Sequence, residues 1–128
     1  RGPLRASLIV GVFHAFWHLP MFWIVGSNQI EMGFGIDFAL FVVAAVSSSA
    51  YATWCYNDND RSTMAASLLH ATGNLSLDAF AGGPGTFHHR LVTLIMLLGA
   101  IGIGATWARV GSARKRSRTT GEARGVAA

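Results

Sequence analysis

The chain has 128 residues, of which 52% are hydrophobic and only 12% are Asp, Glu, Lys or Arg, and its formal net charge is +4. A soluble domain of this size carries about a quarter charged residues, whereas the few charges here are clustered between long apolar runs. This composition excludes an ordinary soluble domain and predicts an all-α, polytopic membrane protein. The single cysteine, Cys55, excludes an internal disulfide.

Two apolar segments open the chain. The first runs from Leu4 to about Val25, which at about 1.5 Å per residue is long enough to cross a bilayer. Pro20 lies inside it and removes one backbone hydrogen bond, so we expect a kink beside His18. The second segment runs from Phe34 to about Tyr56, and its small residues at 47–50 predict the close approach of a neighbouring helix.

Two further segments complete a predicted bundle of four spans. The third begins at Ser62 or Thr63, either of which can cap a helix, and runs to about Phe80. It is the least apolar of the four, so we expect other helices to surround it, because polar groups in lipid need partners. The fourth runs from Leu91 to Trp107, and its glycines are typical of a close-packing helix.

The charges divide the chain and orient it. Residues 1–108 form the predicted membrane domain, and residues 109–128 form a basic tail that we expect to be disordered. If this tail is cytoplasmic, four spans leave Arg90 as the only outward-facing member of the ten Lys and Arg. We therefore expect a multi-pass plasma-membrane protein with a cytoplasmic carboxyl end. The run Arg114–Arg118 favours contact with anionic membrane lipid, and we expect no nucleic-acid partner.

Three histidines and an asparagine within the spans are the candidate functional residues. His14 and His18 are four residues apart on the first span, and His70 and Asn74 are four apart on the third, so each pair shares one helix face. Polar groups at membrane depth normally face a bundle interior or a wet cavity. If both pairs face one cavity, the two helices are neighbours, and Gly73 is expected to allow their close approach.

The residues themselves leave three interpretations open. The polar side chains can form hydrogen bonds that only fix helix packing. His14, His18 and His70 can bind a metal ion or haem, although no Glu follows His14 as the zinc-protease motif requires. The third interpretation is acid–base chemistry on a buried substrate, because an imidazole transfers protons and an amide donates a hydrogen bond to an oxyanion.

Three short motifs follow one another along residues 1–107: Arg1-Gly2, Trp17-His18-Leu19-Pro20 and His70-Ala-Thr-Gly-Asn74. Their order and spacing, with a full span between the last two, resemble those of the CPBP family of intramembrane proteases. This family includes CAAX-processing and bacteriocin-processing (Abi) members. Its first motif has two adjacent glutamates followed by an arginine, its second an aromatic residue four positions before a histidine, and its third a histidine four positions before an asparagine.

The resemblance implies an endopeptidase that hydrolyses a peptide bond of a peptide or protein substrate near the membrane. It implies that His18, His70 and Asn74 line the catalytic cavity. The histidines would position or polarise water and substrate, the asparagine would help to hold the carbonyl oxygen, and a glutamate of the first motif would activate the water. Both glutamates are absent, and because the chain begins at Arg1 rather than Met, we expect them upstream. This piece alone is then expected to be inactive.

Five further residues have simpler interpretations. His14 stands where the family usually has an aromatic residue, and it can be an additional cavity residue, a hydrogen-bond partner of His18 or a packed side chain. His88 and His89 follow a glycine-rich break and are interpreted as interfacial. Asp37 and Asp78 are interpreted as helix-end residues, and Asp78 has the better case for a role because it shares the helix face of His70.

We expect no cofactor, because the chain offers no further thiolate or carboxylate ligand beside its three intramembrane histidines. Two alternative functions remain. One is a non-catalytic membrane protein of the same fold, acting in immunity or as a scaffold. The other is a membrane protein with a histidine-bound metal ion or haem. An upstream glutamate pair favours the protease, its absence favours the scaffold, and metal analysis tests the third possibility.

Overall fold

The computed structural model describes residues 2–80 and 85–126, without the side chains of Asp78 and of the residues after Ala113. Throughout this described part the protein is all-α, as predicted. The helices are α1 (Pro3–Trp17), α2 (Asn28–Met32), α3 (Ile36–Asp58), α4 (Thr63–Phe80) and α5 (Phe87–Val126), and a 3₁₀ helix (Leu19–Trp23) follows α1.

Three helical stretches among the described residues are long and apolar enough to cross a membrane. They are Pro3–Trp23, Ile36–Asp58 and Phe87–Ala113, and they identify the chain as a membrane protein. Of the four spans predicted from the sequence, three therefore meet this criterion of length and hydropathy. Helix α4 does not meet it, because hydroxyl, amide and imidazole side chains interrupt its apolar residues.

The predicted kink at Pro20 takes the form of a change in helix type. Proline has no N–H with which to continue the α-helical hydrogen-bond pattern. The amide of His18 donates to the carbonyl of Ala15 at 3.2 Å, and the amide of Met21 donates to the carbonyl of His18 at 3.0 Å. These are the shorter-range bonds of a 3₁₀ helix, so α1 ends immediately before His18.

Small residues bring α1 and α3 into close contact. A Cβ placed on Gly11 of α1 would lie 2.7 Å from the Cα of Val46 and 3.2 Å from the Cβ of Ser49. Ser49 is buried, and its hydroxyl donates to the carbonyl of Ala45 at 3.1 Å, so the polar group is satisfied within its own helix. The predicted close approach of a helix to residues 47–50 is confirmed.

The glycines of α5 play different roles. A Cβ on Gly99 would overlap the side chain of Tyr51 on α3, so the ring of Tyr51 occupies the space above this glycine. Gly104 lies against the side chain of Leu4, where a Cβ would be 3.3 Å from the Cδ1 atom. No atom lies within 4 Å of a Cβ on Gly102. Close packing of α5 is therefore confirmed at Gly99 and Gly104 and not at Gly102.

An ion pair joins the beginning of α3 to the beginning of α5. The Nε and Nη2 atoms of Arg90 donate to the Oδ1 and Oδ2 atoms of Asp37, each at 3.1 Å. Because both residues lie in the first turns of their helices, these two beginnings are at the same end of the bundle. Helix α4 therefore runs from the end of the bundle where α3 finishes back to the end of the bundle that holds this ion pair.

Helix α4 packs on α3 and leaves most of its remaining surface exposed. Its amino end is capped by Ser62, whose hydroxyl accepts a hydrogen bond from the amide of Ala65 at 3.2 Å, as predicted. The expectation that Gly73 brings the backbones of α1 and α4 together is wrong. A Cβ placed on that glycine would meet no described atom of another helix within 4 Å, because α4 packs on α3 instead.

The carboxyl-terminal region differs from the disordered tail expected from residue 109. The backbone of α5 continues as a helix to Val126. Alanine, arginine, lysine and glutamate are good helix formers, and extending an existing helix avoids the unfavourable nucleation of a new one. The domain boundary at residue 108 stays a prediction.

We predict that Gly11→Ala lowers the free energy of unfolding by about 1–3 kcal/mol, the usual effect of overpacking. The new methyl group would meet the backbone of Val46, which cannot rotate away as a side chain can. Thermal unfolding in detergent micelles measures the effect. Gly102→Ala is the matched control, because that position is open and alanine favours a helix by about 0.5–1 kcal/mol over glycine. Equal destabilisation by both substitutions would contradict the prediction.

Candidate functional site

A cleft of about 1050 Å³ lies between α4 and α5, and residues of α1, α2 and α3 complete its lining. Its walls are largely apolar, with Phe41, Leu69 and Ile95 among them. All five histidines of the chain line this one cleft, together with Asn74. The cleft is therefore an apolar pocket with convergent imidazole and amide groups, which is the usual composition of a small-molecule or peptide site.

A hydrogen bond to the last turn of α1 indicates the tautomer of the neutral His18 ring. The Nδ1 atom of His18 lies 3.0 Å from the main-chain carbonyl oxygen of His14. A carbonyl oxygen can only accept, so Nδ1 carries the hydrogen and donates it. In the neutral ring this leaves the lone pair on Nε2 of His18, which can accept a hydrogen bond from water or substrate.

The second pair of polar residues is also linked by a hydrogen bond. The amide Nδ2 of Asn74 donates to Nε2 of His70 at 3.3 Å, one turn apart on α4. The neutral ring of His70 then carries its hydrogen on Nδ1, and the Asn74 amide retains a second N–H. The hydroxyl groups of Thr72 and Ser76 donate to carbonyls of their own helix, each at 2.8 Å. Among the described α4 side chains that line the cleft, His70 and Asn74 therefore keep an N–H for a ligand, whereas the Ser76 hydroxyl is already bonded.

The ring of His14 joins the two pairs. Its centroid lies 4.6 Å from that of His18 and 5.3 Å from that of His70, with an edge-to-face arrangement at both contacts. On its other side, the ring of His18 lies edge-to-face on Phe41, with a centroid separation of 5.6 Å. The structure thus brings His18, His70 and Asn74 to one cleft. Their catalytic roles stay predictions.

The first and third predicted spans contact each other, but not through the close approach at Gly73 that the sequence predicted. The contact is made by the side chain of His14 instead of by close backbones. Among the three interpretations left open for His14, the geometry makes it a cavity residue, because it lines the cleft between two other rings. Its main-chain carbonyl is the group that binds His18. The side chain of Asp78, which the sequence placed at a helix end, lies outside the described residues.

His88 and His89 belong to the cleft, although the sequence pattern placed them in an interfacial loop. Helix α5 begins at Phe87, one turn earlier than predicted. The hydroxyl of Thr86 accepts a hydrogen bond from the amide of His89 at 3.2 Å and so caps the helix. A threonine three residues before His89 is the sequence signal that could have found this earlier start.

No group of three or more His, Cys, Asp or Glu side chains within the described residues is arranged so that it could hold a metal ion. The ring of His14 contacts the rings of His18 and His70 edge-to-face. The expectation of a protein without a metal cofactor stays a prediction, and its test is a metal analysis.

We predict that the purified protein contains substoichiometric zinc and that a chelator leaves its melting temperature unchanged. If the histidines held a structural zinc ion, removing the ion would unfold the bundle, because assembly of such a site is coupled to folding. Elemental analysis and thermal unfolding with and without EDTA provide the measurement. Stoichiometric, tightly bound zinc that is lost in His18→Ala would contradict the prediction.

Comparisons of this chain with protein-family models, with curated proteins and with solved structures found no match.

Proposed function

We propose that this chain carries the carboxyl-terminal part of a CPBP-type intramembrane endopeptidase. The observation that supports this proposal best is the meeting of two polar pairs in one cleft. His18 directly follows α1, and His70 and Asn74 come from α4, with the whole of α3 between them in the chain. Packing alone does not require imidazole and amide groups from distant segments to converge on a cleft with largely apolar walls.

The protonation states suggest how the residues divide the work. Nε2 of His18 is free to accept a hydrogen bond from the attacking water. Nδ1–H of His70 and the second N–H of Asn74 are available to donate to the carbonyl oxygen of the substrate. Water adds to the carbonyl carbon, a base takes the proton of the water, and that proton passes to the amine as the C–N bond breaks.

In this proposal the base of the reaction comes from another part of the protein. No carboxylate lines the cleft among the side chains that the structure describes. The family resemblance implies that one of two adjacent glutamates before Arg1 supplies it. The same observation favours the second candidate, a non-catalytic membrane protein of the same fold. The two candidates differ in one measurable respect, which is hydrolysis by the protein that includes the preceding segment.

In that longer protein, His18→Ala and His70→Ala should abolish proteolysis while the protein stays folded. Asn74→Ala should weaken it by roughly 2.7–4 kcal/mol of transition-state stabilisation, the usual effect of losing one oxyanion donor. The assay uses proteoliposomes and a pool of synthetic transmembrane peptides, with cut sites identified by mass spectrometry. Residues 1–128 alone should be inactive.

The control for this prediction is Thr72→Ala. Thr72 lies on the same helix as His70 and Asn74, and its hydroxyl donates only to carbonyls of its own helix. Its activity should equal that of the unaltered protein. Full activity of His18→Ala, or a folded longer protein that cleaves nothing in the pool, would contradict the protease and favour the non-catalytic candidate.

We further propose that α4 also crosses the membrane, so that the carboxyl end is cytoplasmic. Its eighteen residues extend about 27 Å, close to the roughly 30 Å of a hydrocarbon core. The Asp37–Arg90 ion pair supports this crossing, because it places the beginning of α5 at the end of the bundle where α3 begins. With this topology, Arg90 is the only one of ten Lys and Arg on the outer side.

Cysteine labelling in a Cys55→Ala background tests this topology. We expect Glu31→Cys, which replaces an exposed residue of α2, to react with a membrane-impermeant maleimide on intact cells. Ser117→Cys should react only after the cells are permeabilised. If α4 does not cross, α5 ends outside, and Ser117→Cys is labelled on intact cells. That result would contradict the proposed topology.

A further inference from the structure

We propose that His14 is a positioning residue that holds the rings of His18 and His70 in a fixed relation. The property that it supplies is a flat ring, and its ability to bind or release a proton is not required. The importance of the His14 ring for the reaction rests on the proposed hydrolytic function. Its role in the packing of the three rings can be tested without any substrate.

Among the ring contacts of the described residues, the ring of His14 is the one that connects the two sides of the proposed site. Helix α4 packs on α3, and a Cβ placed on Gly73 would meet no described atom of another helix within 4 Å. His18, at the end of α1, and His70, on α4, are joined through the ring of His14, whose centroid is 4.6 Å from one ring and 5.3 Å from the other. Removing this ring leaves a gap between the two histidines.

The main chain and the side chain of His14 have different roles. The carbonyl oxygen of His14 accepts the Nδ1–H bond of His18, and this bond does not depend on which side chain position 14 carries. The ring makes the edge-to-face contacts with His18 and His70. Replacing the ring by a non-aromatic side chain therefore removes the ring contacts and leaves the main-chain acceptor of His18 in place.

The contacts of the ring favour shape over proton transfer. Among the residues that the structure describes, the ring nitrogens of His14 form no hydrogen bond, while its edge and face meet two other rings. Edge-to-face ring pairs attract through the charge distribution of the ring at centroid separations of about 4.5–7 Å. A phenyl ring can make the same contacts, whereas an aliphatic side chain of similar volume cannot.

The first experiment compares His14→Phe, His14→Leu and His14→Ala in the longer protein, with the peptide pool described above. We expect His14→Phe to retain the kcat of the unaltered protein. His14→Leu and His14→Ala should lower kcat by up to about 10²-fold, the effect of misplacing a catalytic group by about an ångström, with little change in KM. Loss of activity in His14→Phe would show that the nitrogen matters and overturn the inference, as would full activity in His14→Ala.

The second experiment needs no activity, so it separates this inference from the proposed function. A double-mutant cycle in thermal unfolding combines His14→Ala with His70→Ala. Because the two rings touch, we expect the melting temperature of the double variant to fall by less than the sum of the two single shifts. The cycle of His14→Ala with Thr72→Ala should be additive, since the Thr72 hydroxyl bonds only within α4.

The outcomes of the cycle remain decisive if the protein hydrolyses nothing. Coupling between His14→Ala and His70→Ala would then support the positioning of the rings while the protease proposal fails. Additive shifts in both cycles would overturn the inference whatever the activity. If His14→Ala does not fold, the cycle uses His14→Leu, which keeps the volume and removes the flat ring. A further cycle starts from His14→Phe in place of the unaltered protein. Replacing its phenyl ring by alanine should show the same coupling with His70→Ala, because the phenyl ring keeps the ring contact.

Discussion

The close contact between α1 and α3 at Gly11 is the constraint on which the arrangement of the cleft depends. A backbone-to-backbone approach this short is possible only where no Cβ intervenes, and it fixes the position of α1 against the helix that also supports α4 and α5. His14 lies on the same helix less than one turn beyond Gly11. The packing of small residues therefore determines where the first pair of histidines meets the cleft, although no small residue takes part in the chemistry we propose.

Polar groups explain why α4 differs from the other long helices. A helix with His70, Asn74 and several hydroxyl groups is too polar to qualify as a span by composition. It nevertheless runs from one end of the bundle to the other, because the Asp37–Arg90 ion pair joins the beginnings of α3 and α5. The hydroxyl groups of Thr72 and Ser76 bond within the helix, and the imidazole of His70 and the amide of Asn74 bond to each other. In the membrane crossing that we propose for α4, this internal pairing lowers the unfavourable free energy of placing polar groups in lipid.

The proposed chemistry rests on complementary protonation of two histidines. A carbonyl acceptor places the hydrogen of His18 on Nδ1, and an amide donor places that of His70 on Nδ1 as well. One ring then offers a free Nε2 lone pair to a water, while the other offers an N–H to an oxygen. This division suits a reaction in which one group orients a nucleophile and another stabilises developing negative charge.

The sequence by itself determined the helical class, three of the four spans that it predicted, the break at Pro20 and a helix cap at Ser62 or Thr63, because these depend on hydropathy and on local backbone chemistry. It also identified His18, His70 and Asn74 as polar residues that need a shared environment. Only the tertiary structure decided that the ring of His14 connects α1 to α4, that Gly73 does not, and that His88 and His89 line the same cleft. Spacing along one helix defines which side chains share a face, but the direction and distance of a neighbouring helix depend on packing between segments that are far apart in the chain.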